Sequence, residues 1–200
     1  MGTEASRAAS VTTDEDTSAL RAGLSAGDSQ AHQELCTRYG RDLHRYLAAR
    51  LGDDDLAEEL MVQTLADGVR HITRFSPRIS TLRAWLFGIA RRHLRTELRL
   101  RARRKSVPPS MQVPVEAIAE QAGPQDLATE AASRVQAQRQ VAVLSAALSD
   151  IEMEVLTLRY GHDLSVREVG QIVGRSEKAV ESLLIRAKQK ARERLGCDDE

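Results

Sequence analysis

The chain has 200 residues, of which 42% are hydrophobic and only 3% aromatic, and its 29 Lys and Arg side chains balance its 29 Asp and Glu side chains. This length suits one medium domain or two small ones. No apolar stretch is long enough for membrane insertion or for a signal peptide, so we expect a cytoplasmic protein. The two cysteines predict no disulfide framework. His32 and Cys36 lie four residues apart, but a zinc site needs about four ligands and no other pair has ligand spacing, so we expect neither a metal nor a cofactor.

The N-terminal part predicts a disordered tail followed by a helix. Residues 1–20 are rich in acidic, small and hydroxyl side chains, and we expect them to be disordered. Beyond them, apolar residues recur at intervals of three and four, which predicts an all-α fold. The first stripe comprises Leu35, Tyr39, Leu43 and Leu47. Its helix is expected to end at Gly52, and Cys36 to be a small core residue.

Two further helices follow before residue 106. Asp53, Asp54 and Asp55 place negative charge at the start of the first, where the helix dipole favours it, and Pro77 separates the two. The second runs from about Thr81 to Lys105, and its first half is apolar. Its part from Gly88 onward has eight basic residues against one acidic residue. We expect this end to project towards solvent or a polyanionic ligand, with arginines that lack carboxylate partners within the helix except for Glu97.

A proline-containing linker over residues 106–131 is followed by a second helical domain over residues 132–196 and a short tail over 197–200. Two capping boxes, Ser149-x-x-Glu152 and Ser165-x-x-Glu168, each mark the start of a helix in this domain. Gly174 then forms a turn and Ser176 caps the last helix, which predicts a helix-turn-helix. On such a module the early residues of the second helix reach base edges. We expect Arg175, Arg186, Lys188 and Lys190 to contact phosphates.

Both domains resemble those of bacterial sigma factors of the extracytoplasmic-function group. The first resemblance is carried by LGDDDLAEELMVQTLADGVRHITRFSPRISTLRAWLFGIARRHLRTELRLRARR, which is similar to sigma region two. The second is carried by LSDIEMEVLTLRYGHDLSVREVGQIVGRSEKAVESLLIRAKQKARERL, which is similar to sigma region four. The resemblance covers roughly residues 22–105 and 132–195, so domain 21–105 would be a region-two helical bundle and domain 132–196 a region-four helix-turn-helix.

The resemblance implies a factor that binds core RNA polymerase and directs promoter recognition, strand opening and transcription initiation. Residues implied in polymerase binding are Ala57, Glu58, Glu59, Leu60 and Gln63. Those implied at the minus-ten promoter element are Phe75, Ser76, Pro77, Arg78, Ile79 and Ser80, together with Arg91, Arg92, Arg95 and Arg99. Those implied at the minus-thirty-five element are Arg175, Ser176, Glu177, Lys178, Glu181, Ser182, Ile185 and Arg186. Promoter DNA and core polymerase are thus the expected partners, with an anti-sigma factor as a further one.

The sequence departs from the usual family pattern within these sites. Val62 and Gln63 stand where the family commonly has Gln-Glu, and Glu181 and Leu183 where it often has Lys and Arg.

Two alternatives remain open at this stage. One is a transcriptional regulator with a response-regulator type of helix-turn-helix, and the other is a sigma-like interaction protein without initiation activity. An enzyme is not expected, because no nucleophile, base or phosphate-binding loop accompanies the carboxylates.

Overall fold

The computed structural model describes residues 14–105 and 147–195, and these form seven α-helices arranged as two bundles. The first bundle contains α1 (Asp14–Ala26), α2 (Ser29–Leu51), α3 (Asp54–Arg70), a 3₁₀ turn (Ile72–Arg74) and α4 (Leu82–Lys105). The second contains α5 (Asp150–Leu156), a π-helical turn (Thr157–Gly161), α6 (Val166–Val173) and α7 (Glu177–Leu195). The linker predicted over 106–131 lies outside the described residues.

Local signals in the sequence set the helix ends of the first bundle. The Asp28 carboxylate accepts a hydrogen bond from the Gln30 N–H at the start of α2, and Gly52 ends this helix in the left-handed conformation with a φ of 63°. The Asp53 carboxylate then caps α3 by accepting from the Leu56 N–H at 3.1 Å. Each device satisfies a backbone group that the helix itself leaves unpaired. The predicted helix boundaries at Gly52 and Asp53 are therefore confirmed.

Two predictions for the N-terminal part are wrong. Residues 14–20, which we expected to be disordered, form the start of α1, and Leu20 and Leu24 of this helix are buried. Cys36 is exposed rather than part of the core. It directly follows the buried Leu35, and adjacent residues of a helix point about 100° apart, so Cys36 faces away from the bundle.

Helix α4 is anchored to its bundle along most of its length. Leu82, Leu86, Ala90 and Leu94 are all buried, in agreement with the predicted apolar first half. The basic end does not simply project, as the sequence suggested, because the Arg101 guanidinium donates to the Asp53 carboxylate at 2.8 Å and to the Leu51 carbonyl at 3.2 Å. This contact holds the distal part of α4 against the junction between α2 and α3.

Close contacts at glycine set the geometry of the second bundle. A Cβ on Gly170 of α6 would lie 2.7 Å from the Arg175 carbonyl oxygen, so only glycine lets the chain return this tightly towards α7. Gly174 ends α6 with a φ of 70°, and Ser176 caps the start of α7 through its hydroxyl. The Glu152 and Glu168 carboxylates accept from the Ser149 and Ser165 N–H groups, which confirms both predicted capping boxes.

The two bundles pack directly against each other. Helix α4 of the first contacts α6 of the second, and α2 contacts the π-helical turn. The buried apolar side chains of both bundles consequently form one continuous cluster. This contact brings the basic helix of the first bundle next to the helix-turn-helix of the second.

Candidate nucleic-acid interfaces

The residues predicted to bind polymerase lie on α3 and divide into a buried and an exposed set. Ala57 and Leu60 are buried and pack α3 into its bundle. Glu58, Glu59 and Gln63 are exposed, and the Gln63 side-chain amide donates to the Glu59 carboxylate at 2.9 Å. The exposed residues therefore form one face, whereas the two apolar ones position it.

Val62 adds an apolar group to this exposed face of α3. Its side chain is 55% exposed and lies on the same face as Glu58, Glu59 and Gln63. From the sequence alone, Val62 was only a departure from the family pattern.

The loop between the 3₁₀ turn and α4 presents a turn to solvent. The Ile79 and Ser80 N–H groups both donate to the Ser76 carbonyl, and Pro77, Arg78 and Ile79 are exposed. Phe75 differs from the other loop residues because only 2% of it is exposed and its ring lies 5.5 Å from that of Trp85. Phe75 thus supports the loop from the core and does not face solvent in this arrangement.

The four arginines predicted at the minus-ten element differ in their partners. Arg91 Nε donates to the Glu154 carboxylate at 2.9 Å and is only 15% exposed, and Arg92 lies 3.4 Å from the Asp67 carboxylate. Arg95 and Arg99 are exposed on the same helix. Both carboxylates lie outside α4, so the prediction that these arginines lack partners within their own helix, apart from Glu97, is not contradicted. The two partners were not foreseen because they lie far away in sequence.

A cavity of about 540 Å³ lies between the two bundles, beside the basic part of α4. Five arginines, two carboxylate residues and several apolar side chains line it. The arginines are Arg50, Arg91, Arg95, Arg99 and Arg175. It therefore brings together three arginines predicted at the minus-ten element and one predicted at the minus-thirty-five element.

The reading helix α7 displays the expected residues on its solvent side. Val180, Leu184 and Ala187 are buried against α5 and α6, as the periodicity predicted. All eight residues implied at the minus-thirty-five element are exposed, and Ile185 is 68% exposed. The helix is thus oriented by its own bundle so that one polar face is open to a ligand.

Two lysines of α7 have different environments. Lys188 Nζ lies 4.6 Å above the centre of the Tyr160 ring and remains exposed. Lys190 instead forms an ion pair of 2.8 Å with Glu152, inside the second bundle. Hydrogen bonds from Lys190 and Ser149 lower the pKa of Glu152 to about 2, so this pair is fully charged at neutral pH. Lys190 was predicted to contact phosphate, and in this structure it neutralises Glu152 instead.

Among residues 14–105 and 147–195, no group of three or more His, Cys, Asp or Glu side chains comes together in a way that could hold a metal ion. Within the same residues, no helix combines the length and apolar character required to cross a membrane.

Comparison with protein families gives two matches in the order seen in the sequence. Residues 35–104 match sigma-70 region 2, and residues 146–193 match sigma-70 region 4. Together these two regions cover more than half of the chain, and they coincide with the two bundles.

Two relatives are ECF RNA polymerase sigma factors. The chain is 28% identical to BldN of Streptomyces coelicolor over 164 residues, which is 81% of this chain and 59% of BldN. It is 27% identical to SigM of Bacillus subtilis over 169 residues, which is 84% of this chain and 98% of SigM. The chain thus spans somewhat more than half the length of BldN and nearly all of SigM.

Two solved structures share the fold. CnrH, in complex with the cytosolic domain of CnrY, aligns with a TM-score of 0.67 at 21% identity over 92% of this chain and 99% of the other. The sigma factor RpoE of Bartonella quintana, in complex with the anti-sigma factor NepR, aligns with a TM-score of 0.62 at 24% identity. That alignment covers 84% of this chain and 98% of RpoE.

Proposed function

Because the chain belongs to the sigma-70 family, in its extracytoplasmic-function group, we propose that it binds core RNA polymerase and directs transcription initiation at specific promoters. One observation carries the proposal: both family regions are present in order, and each coincides with a folded bundle that bears a basic, solvent-facing surface. Catalysis of RNA synthesis would lie in the polymerase, so no reaction is assigned to this chain.

The first bundle would supply polymerase binding. Its exposed face on α3 combines Glu58, Glu59 and Gln63 with the apolar Val62. An apolar centre within a polar rim is the usual composition of a protein interface. Ala57 and Leu60 would contribute indirectly, because they fix the orientation of this face.

The same bundle would capture the minus-ten element. The loop from Phe75 to Ser80 would hold bases extruded from the duplex, and Arg91, Arg92, Arg95 and Arg99 would hold the adjacent phosphates. Extruding a base costs a few kcal/mol, which contacts to the base and the backbone must offset. Pro77, Arg78 and Ile79 are the loop residues that are already exposed for such contacts.

The second bundle would read the minus-thirty-five element with α7. Glu177, Glu181 and Lys178 can accept from or donate to base edges, and Ile185 can contact a thymine methyl group. Arg175 and Arg186 would fix the register on the phosphates, as would Ser176 at the start of the helix.

Partners and location follow from this role. The chain would act where the polymerase is, in the cytoplasm, with promoter DNA as its ligand. Because RpoE of Bartonella quintana is described in complex with an anti-sigma factor, we include an anti-sigma protein among the proposed partners.

Transcription from a randomised promoter library tests the proposal. We expect transcripts only when the chain and purified core polymerase are both present. The promoters selected from the library should share two short sequence elements separated by a spacer of fixed length. Core polymerase alone serves as the control. Failure to bind core polymerase or to give transcripts would contradict the proposal and favour an interaction-only protein. Tight, specific binding of duplex DNA by the chain alone would instead favour a helix-turn-helix regulator.

A further inference from the structure

The cavity of about 540 Å³ has walls of two chemical kinds, and helix α4 supplies both. Arg91, Arg95 and Arg99 line it at intervals of four residues, which places them on one side of the helix as a basic stripe about 12 Å long. Leu94 and Leu98 line it at the same interval, directly beside that stripe. A ligand in the cavity therefore meets a charged strip and an apolar strip of the same helix.

The remaining walls come from elements that are distant in sequence. Helix α5 contributes Ile151, the end of α6 contributes Val173, and Arg175 follows the turn after α6. Arg50 approaches from α2, and its Nη1 lies 3.5 Å from the Asp150 carbonyl oxygen. Arg50 is not among the residues proposed to contact polymerase or promoter. The cavity is therefore more than a continuation of the proposed promoter surface.

The charges in the lining do not balance. Glu154 Oε1 accepts from Arg91 Nε at 2.9 Å and from the Tyr46 hydroxyl at 3.1 Å, so the Glu154 charge is already paired. Asp150, exposed at the start of α5, is the second carboxylate residue in the lining. Five arginines against two carboxylate residues leave three positive charges in excess.

The excess charge belongs to arginines whose side chains have no partner. In the part of the chain that the structure describes, the side chains of Arg95, Arg99 and Arg175 form neither a hydrogen bond nor an ion pair. Like charges four residues apart on a helix repel each other, and a bound anion removes this cost. The unpaired guanidinium groups therefore favour an anionic occupant.

The size and lining of the cavity indicate what kind of anion fits. Its volume is that of a cleft for a small molecule. Guanidinium groups bind the oxygens of phosphate two at a time, and a polyphosphate concentrates several negative charges in a small volume. The apolar side chains in the lining suit a flat or apolar part of the same ligand, and the Asp150 carboxylate beside Ile151 can accept from an amino group on that part. A nucleotide combines these three features.

We propose that this cavity is a binding site for a nucleoside polyphosphate. Its phosphate groups contact Arg95, Arg99 and Arg175, and Arg50 completes the site from α2. Its base packs against the apolar strip of α4. The site goes beyond the function proposed above, because promoter recognition by α4, the loop and α7 requires neither Arg50 nor a small ligand.

Isothermal titration calorimetry of the full chain with ATP and with GTP, in the absence of polymerase and DNA, tests the proposal. We expect saturable binding of one nucleotide per chain. Inorganic triphosphate lacks the base and adenosine lacks the phosphates, so each should bind at least about tenfold more weakly than ATP. If neither nucleotide gave saturable binding, or if triphosphate bound as tightly as ATP, the proposal would be overturned.

A matched pair of variants on α2 locates the site. Arg50→Ala removes a lining arginine, whereas Arg41→Ala removes an exposed arginine of the same helix that lies outside the lining. We expect the affinity for ATP to fall about tenfold in the first variant, because a charge-assisted hydrogen bond is lost, and to stay unchanged in the second. Equal losses would indicate a general attraction of anions to the basic surface and would overturn the proposal.

A second pair covers the case in which Arg50→Ala fails to fold. Arg175 and Arg186 are both exposed and both proposed to hold promoter phosphates, but only Arg175 lines the cavity. Arg175→Ala should weaken ATP binding about tenfold, and Arg186→Ala should leave it unchanged. Equal affinities of these two variants for ATP would overturn a site shared by both bundles.

A short single-stranded oligonucleotide distinguishes a nucleotide site from a nucleic-acid site. Because Arg50 lies outside the proposed promoter surfaces, Arg50→Ala should weaken the binding of ATP and leave that of the oligonucleotide unchanged. Loss of both affinities by the same factor would assign the cavity to nucleic acid and overturn the proposal. Transcription with core polymerase reports the proposed function separately, since the titrations contain neither polymerase nor promoter.

Discussion

The two candidate promoter surfaces are built in different ways. On α7 the exposed face follows from short-range spacing, because Val180 and Leu184 are buried and every predicted DNA-facing residue is exposed. On α4 the availability of two arginines depends on distant carboxylates, Asp67 for Arg92 and Glu154 for Arg91, which lies 63 residues away. A binding helix can therefore be recognised from its own sequence, whereas the whole fold decides whether its side chains are free to bind a ligand.

The largest effect is expected where the position of α7 is set by a single glycine. Gly170→Ala would place a Cβ 2.7 Å from the Arg175 carbonyl oxygen, which is a backbone atom and cannot move aside alone. We expect the free energy of unfolding to fall by about 2–4 kcal/mol, measured by urea denaturation. Gly88→Ala on α4 is the control, since no neighbouring atom lies within 4 Å of its Cβ, and its stability should stay equal or rise. Equal stability of both variants would show that the turn adapts.

Acid should weaken the contact between the two bundles through His162. This residue of the second bundle is 4% exposed, and its ring centre lies 5.9 Å from that of Tyr46 and 5.1 Å from that of Phe87 in the first bundle. Burial lowers the pKa of His162 from 6.5 to about 4, with Arg45 and Arg83 acting in the same direction and Asp42 and Asp163 opposing them. The neutral ring is therefore favoured while the two bundles are in contact, so this contact is fully stable above pH 6.5 and weakens as the pH falls towards 4. The total change is about 3 kcal/mol. Energy transfer between donor and acceptor dyes on the two cysteines, Cys36 and Cys197, should fall over this range, and His162→Phe should remove the pH dependence. A wild-type profile that stays flat between pH 7 and 4.5 would contradict this role.

A smaller effect is expected from the ion pair inside the second bundle. The lowered pKa of Glu152, about 2, means that its charge stabilises this bundle above pH 4.5 and that this stabilisation is lost as the pH falls towards 2. Because Lys190 is 44% exposed, solvent screens the pair, and Glu152→Gln should cost about 1–2 kcal/mol in thermal unfolding at pH 7. Gln189→Ala, on the exposed side of α7, is the control. No loss of stability would indicate that solvent screens the pair completely.

The smallest effects distinguish phosphate contacts from base contacts. Arg95→Ala and Arg99→Ala should each lower the slope of log affinity against log salt by about 1, with similar losses on all promoters in complexes with core polymerase. Lys178→Ala and Glu181→Gln should instead change the preferred base at one position of the upstream element. If both pairs of variants lowered the affinity equally on all promoters, the distinction between a phosphate-binding α4 and a base-reading α7 would be wrong.

The parts of the fold that could be predicted are those that depend on neighbours in sequence. The helix ends at Gly52 and Asp53, both capping boxes and the buried stripe of α7 involve residues within about one turn of each other. The start of α1 could not be predicted from its composition, because its stability comes from packing of Leu20 and Leu24 on the rest of the bundle.

The candidate promoter-binding residues also divide into those that neighbours in sequence predict and those that depend on the whole fold. Exposure of the α7 residues follows from periodicity, whereas burial of Phe75 against Trp85 and capture of Arg91 by Glu154 depend on how helices meet. No local feature of α5 distinguishes Glu154 from an ordinary solvent-facing glutamate. Its partner Tyr46 lies 108 residues earlier in the chain.

The ion pair between Arg91 and Glu154 also imposes an order in time during synthesis. Arg91 is made 63 residues before Glu154, and at about 5–20 residues per second this interval lasts about 3–13 s. During it the first bundle can fold, since all its helices precede the second bundle, and its Tyr46 and Phe87 rings are not yet in contact with His162. Each newly made chain therefore passes through a brief period in which Arg91 has no Glu154 with which to pair.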